Sequence, residues 1–150
     1  MRGTINYFKA AERVLSNRGT LERALVNLER RRERVIQRSA PKGIQSTDYS
    51  RPYVSGGGAN DALADCLEIA EINREIDNTR ETVEEIDRVL AQLDKADADL
   101  LRAWYIEGKP KEEIAASLAY SSKTSVYDLR NKAVAAFAIL YFGADAMAST

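Results

Sequence analysis

The chain has 150 residues, 45% apolar and 30% charged, with a formal net charge of −1. That length builds one ordinary domain, or a small domain with an extended arm, and no apolar run approaches the length that crosses a bilayer. Histidine is absent and Cys66 is the only cysteine, which removes the commonest general base, the usual metal-ligand spacings and any internal disulfide.

No phosphate-binding glycine motif is present. Gly56, Gly57 and Gly58 follow no strand signal and read as loop. A non-enzymatic protein without cofactor or metal is expected. The opening "MRGTINYFKAAERV" has no continuous apolar core and reads as no signal peptide, so a cytoplasmic location is the expectation.

Charge is unevenly placed. Residues 1–43 carry eleven Lys/Arg against four Asp/Glu, while residues 59–113 carry seven against sixteen. A near-neutral total therefore leaves room for a nucleic-acid partner, since local charge governs that contact.

Residues 4–38 read as a long helix. Tyr7, Ala11, Val14, Leu21, Leu25, Leu28 and Val35 recur near three-four spacing, with Arg18 and Arg32 interrupting the stripe. Gly19 predicts a kink or break near residues 17–20, with Thr20 capping a second piece. The run "ERRRERVIQR" reads first as a solvated helix face, and DNA contact by Arg30, Arg31, Arg32 or Arg34 is the sharper alternative. Residues 40–58 form a loop rich in Pro, Gly and Ser, with Tyr49 and Tyr53 expected to tack it onto the helices.

Residues 60–95 carry the cleanest period. Ile69, Ile72, Ile76, Thr79, Val83, Ile86, Leu90 and Leu93 alternate steps of three and four, a heptad seam that a lone helix cannot bury. Two partners are open: the basic first helix folded back antiparallel, or the same helix of a second copy. The two are compatible, as a hairpin that dimerises.

From Lys95 the pattern shifts to short helices. "ADADLLRAWYIEG" stops at Gly108, and Pro110 with Glu112 and Glu113 suits the start of the next helix. Ile114, Ala115 and Leu118 face inward. Ser122 reads as an N-cap, followed by Val126, Leu129, Ala133 and Phe137 on a buried face. Helix, tight turn, helix is the geometry that places the start of a second helix in a DNA major groove. The expected DNA-contacting residues are Ser122, Lys123, Thr124, Ser125, Tyr127, Arg130, Asn131 and Lys132, whose side chains can bond base edges or phosphates. Ile139, Leu140 and Phe142 are expected to finish the helix against the bundle, with Gly143 ending it.

"YIEGKPKEEIAASLAYSSKTSVYDLRNKAV" resembles the promoter-reading helix-turn-helix of sigma factors. Glu113, Ile114, Ala115, Leu118, Ser122, Val126, Arg130, Lys132 and Ala133 match that pattern, and Ser125 stands where threonine is frequent. Ala119 replaces the usual turn glycine. The wider layout resembles the phage transcriptional regulators of the RinA/ArpU type, most specifically over residues 97–137. The resemblance implies a phage or prophage late-gene activator.

The expectation is therefore an all-α chain: a long antiparallel helical hairpin or coiled-coil arm over 1–95 with its loop at 40–58, a sigma-like helix-turn-helix domain over 96–143, and a loose tail over 144–150. The expected partners are double-stranded DNA, a second copy through the arm, and RNA polymerase as a further candidate, with no membrane. Two alternatives stand beside this: a phage small terminase subunit, and a coiled-coil interaction protein that touches no DNA.

Overall fold

The computed structural model describes residues 4–39, 58–118 and 123–149, all of them helical or in short connections, with no strand among them. The chain is all-α. Helix α1 spans Tyr7–Ser39, α2 Gly58–Gln92, α3 Lys95–Leu101, α4 Lys111–Ser117 and α5 Lys123–Phe142. A π-helical turn, Arg102–Ile106, continues α3, and a 3₁₀ turn, Ala144–Ser149, follows α5. The loop at 40–57, with Tyr49 and Tyr53, lies outside the described residues. No described helix is long and apolar enough to cross a membrane.

Asn6 starts α1. Its side-chain oxygen accepts from the Lys9 backbone N–H at 3.0 Å, satisfying a donor that the first turn leaves open. The break expected at Gly19 does not occur. α1 is helical through residues 17–20, so no second helix begins at Thr20, and the packing of Leu15 and Leu21 on either side outweighs a glycine cost of about 1 kcal/mol.

Contacts divide the chain into two units, residues 22–81 and residues 1–21 with 82–150. The division falls inside the two long helices, away from the 95/96 boundary read from the sequence.

In the unit 22–81, the two helical segments run antiparallel. The pairs Arg38–Asp65, Arg32–Asn73 and Glu29–Arg80 show it, because one number falls as the other rises. Val35, Ile72 and Ile76 form the buried cluster, with Leu25, Leu28 and Ile69 packed on it. The α2 seam thus meets α1 of the same chain. Arg32, an interruption in the apolar stripe, donates from Nη1 to Asn73 Oδ1 at 2.9 Å.

In the other unit, Ala11 and Leu15 of α1 and Ile86, Val89 and Leu90 of α2 join one core with Leu100, Leu101, Ile114, Val126, Val134 and Phe137. Arg18, the second interruption, makes a two-pronged bond to Asp87: Nε to Oδ1 at 2.6 Å and Nη2 to Oδ2 at 2.8 Å. A guanidinium fork on a carboxylate fixes register as well as adding energy. Leu15 is fully buried, a core position the stripe reading passed over.

Two glycines close helices through left-handed backbone. Gly108 has φ +64° and Gly143 φ +92°, conformations in which an L side chain is strained. Ala144–Ser149 makes a 3₁₀ turn that returns Ala146 to full burial on the core. Leu140, expected against the bundle, is instead 46% exposed, because α5 packs through the rows of Ala133, Val134, Phe137 and Ala138.

Candidate nucleic-acid interface

α4 and α5 meet through Ile114 and Ala115 on one helix and Val126 on the other, all buried in the same cluster. Ala115 has the small side chain that a close helix crossing requires. Val126, Ala133, Val134, Phe137 and Ala138 are buried, with Leu129 partly so. The three-four spacing of these residues leaves Tyr127, Asp128, Asn131 and Lys132 exposed together on the other face.

Behind that face lies a polar and aromatic cluster assembled from four segments. The Tyr105 hydroxyl donates to Glu12 Oε2 at 2.7 Å. Arg130 Nη1 lies 3.2 Å from the same carboxylate oxygen and 3.2 Å from the Tyr105 hydroxyl. Its Nε donates to Asn131 Oδ1 at 2.9 Å. The guanidinium carbon sits 4.7 Å from the Trp104 ring centroid and 5.6 Å from that of Tyr127, and Lys111 Nζ sits 5.0 Å from Trp104. Cations over aromatic faces at such distances are attracted by the ring quadrupole. Tyr127 meets Trp104 edge-on, with centroids 5.3 Å apart.

The π-helical turn supplies Trp104 and Tyr105. Its signature is the Glu107 N–H bonding to the Arg102 carbonyl at 2.8 Å, five residues back. The wider turn rotates the residues after Leu101 relative to an α-helix, so Trp104 reaches Tyr127 and Arg130 while Tyr105 reaches Glu12. The Lys109 N–H then closes on the Ala103 carbonyl at 2.9 Å, with Gly108 providing the left-handed step. Burial pushes the Tyr105 phenol well above its ordinary pKa, and the bond to Glu12 adds to that, against an opposing effect of Arg130. The hydroxyl is therefore a fixed donor.

Of the eight residues expected to touch DNA, Tyr127, Asn131 and Lys132 share the exposed face. Ser125 is half-buried and has an interaction of its own. Lys123 and Thr124 open α5, but their side chains, and all of Ser122, lie outside the described residues. Arg130 differs from an outward phosphate ligand. Its side chain is 18% exposed and satisfied by Glu12, Tyr105 and Asn131. Arg130 thus stands at the rim of the exposed row, one step along α5 toward Trp104.

Sequence reading passed over Glu12, Trp104, Tyr105 and Lys111. Separations of 93 and 118 residues to Glu12 leave no local period to find.

No family model, curated protein or solved structure matches the chain.

Proposed function

We propose that this chain is a sequence-specific DNA-binding transcriptional regulator whose reading surface is the exposed face of α5. The observation that carries the proposal is the grouping of Tyr127, Asn131 and Lys132 outside an apolar platform, with Arg130 locked behind them. Asn131 and Lys132 bear groups that bond base edges, and Lys132 and Tyr127 can also bond phosphate. Asp128 shares the face and suits the amino group of a cytosine better than a phosphate. Lys123 and Thr124, in the first turn of α5, belong to the same expected contact set.

The likeness to sigma-type helix-turn-helix segments and to RinA/ArpU-type regulators supports a role as a phage or prophage activator, acting as a homodimer through the arm and alongside RNA polymerase. A dimer would use faces other than the Ile72 and Ile76 seam, which α1 already covers.

Selection from a random duplex pool tests the proposal. The expected result is enrichment of a defined site, bound less tightly as salt rises. Recovery of unenriched sequence would remove the proposal. One observation favours a second reading, in which α4 and α5 merely cap a helical interaction protein: Arg130 is engaged within the protein. The same selection separates the two.

A further inference from the structure

The solvent side of α1 within the unit 22–81 is sorted by charge. At 3.6 residues per turn, Arg23, Asn27, Arg30 and Arg34 fall within an arc of about 60°, and all four are exposed. Glu22, Glu29 and Glu33 occupy a separate arc of about 40°. The core residues Leu25, Leu28 and Val35 lie about 110° to 170° around the helix from the centre of the basic arc. The acidic arc turns toward α2, where Glu29 meets Arg80 at 3.5 Å. Arg38 is also taken up by α2, at 2.6 Å from Asp65 and 2.9 Å from Glu68. Arg30 and Arg34 stand apart: among the described residues no hydrogen bond or ion pair engages either of them.

We infer that Arg23, Asn27, Arg30 and Arg34 form a second contact surface, which lies along the sugar-phosphate backbone of duplex DNA. Three features select that partner. The arc itself holds only polar and basic side chains, and Val26 beside it, 48% exposed, is too little apolar surface for the packed core of a protein interface. It contains no aromatic residue, so it lacks the stacking platform that holds single strands. What it does contain is a straight, rigid row of donors: Arg30 and Arg34 are about 6 Å apart along the axis, and Arg23 and Arg34 about 16 Å. Guanidinium groups suit phosphate oxygens through their paired donors. Such contacts anchor a duplex without reading its sequence. This surface is separate from α5 and does not depend on the α5 reading.

The test is the salt dependence of binding by the full chain to a duplex of arbitrary sequence. Replacing Arg23, Arg30 and Arg34 together with Gln is expected to lower the slope of log affinity against log salt by roughly 2 to 3, since each lost phosphate contact removes about 0.9. Replacing the same three with Lys keeps the charges and is expected to restore most of the slope, with both variants melting as wild type does. A control triple, Arg74→Gln, Arg88→Gln and Lys95→Gln, changes net charge equally and is expected to leave the slope unchanged. The inference is overturned if the first triple retains the wild-type slope, or if the control lowers it as much. It is also overturned if single strands bind more tightly than duplex, or if wild type binds no duplex. Binding without sequence preference that the first triple abolishes would uphold this surface and overturn the α5 reading alone.

Discussion

Arg130 and Glu12, 118 positions apart in the chain, meet with Nη1 and Oε2 3.2 Å apart, and the Tyr105 hydroxyl bonds the same carboxylate oxygen. One acidic side chain on α1 thereby fixes an arginine on α5, the helix that carries the proposed reading face.

This contact gives a test by sign. If Arg130 were a phosphate ligand held back by Glu12, Glu12→Gln would free it and tighten DNA binding. If Arg130 positions α5, the same change loosens the helix and weakens binding despite removing a negative charge. The expected outcome is a loss of about 5- to 30-fold, from about 1 to 2 kcal/mol of weakened charge-assisted bonding, measured by anisotropy on a selected duplex. Arg130→Gln should weaken binding comparably with no change in salt slope, whereas loss of a phosphate contact would lower that slope by about 1.

Arg18 and Asp87 supply register within their unit. Arg18→Ala breaks a two-pronged bond whose arginine is 16% exposed and whose carboxylate is 44% exposed. The expected loss is about 1 to 2 kcal/mol in urea unfolding, below that of a fully buried pair because water still reaches Asp87. Arg18→Lys should recover only part of it, since an ammonium cannot make the fork.

Glycines at two sites should respond in opposite directions. Gly19 lies inside α1 and an added methyl meets nothing within 4 Å, so Gly19→Ala is expected to stabilise by about 0.5 to 1 kcal/mol. Gly108 also has open space but holds φ +64°, so Gly108→Ala is expected to cost about 1 to 2 kcal/mol from backbone alone. Thermal melts of the two variants distinguish a continuous α1 from one broken at residue 19.

Tyr105 ties stability to alkaline pH. Its pKa is raised in the folded state by burial and by Glu12, so the folded protein favours the protonated form. The associated stabilisation is fully present below the unfolded tyrosine value of about 10 and is lost as pH rises beyond it. With no histidine in the chain, the melting temperature is expected to stay level from pH 6 to 9 and to fall above about 10. Tyr105→Phe should reduce that fall.

The long helices were legible because periodicity is local. The seam from Ile69 to Leu93 announced α2, and Ile72, Ile76, Val83, Ile86 and Leu90 are buried as their spacing implies. Arg18 and Arg32 looked like faults in the α1 stripe, yet each meets a polar residue of α2. A single-helix pattern cannot reveal that match, since it depends on how two helices align. Gly19 misled because propensity is a weak preference that packing overrides. The cluster behind α5 was hidden for a further reason. Trp104 and Tyr105 diverge through a π-helical turn, and neither the 3.6-residue period nor composition marks where a helix widens.

The central claim is that the exposed face of α5 distinguishes one DNA sequence from another. Its most direct test is a pair of titrations at fixed salt, with the selected duplex and a scrambled one, for wild type and for Asn131→Ala. A wild-type preference of at least about 10³-fold is expected, reduced about 5- to 150-fold in the variant as one base contact is lost. Equal affinity of wild type for both duplexes, or an undiminished preference in the variant, would contradict it.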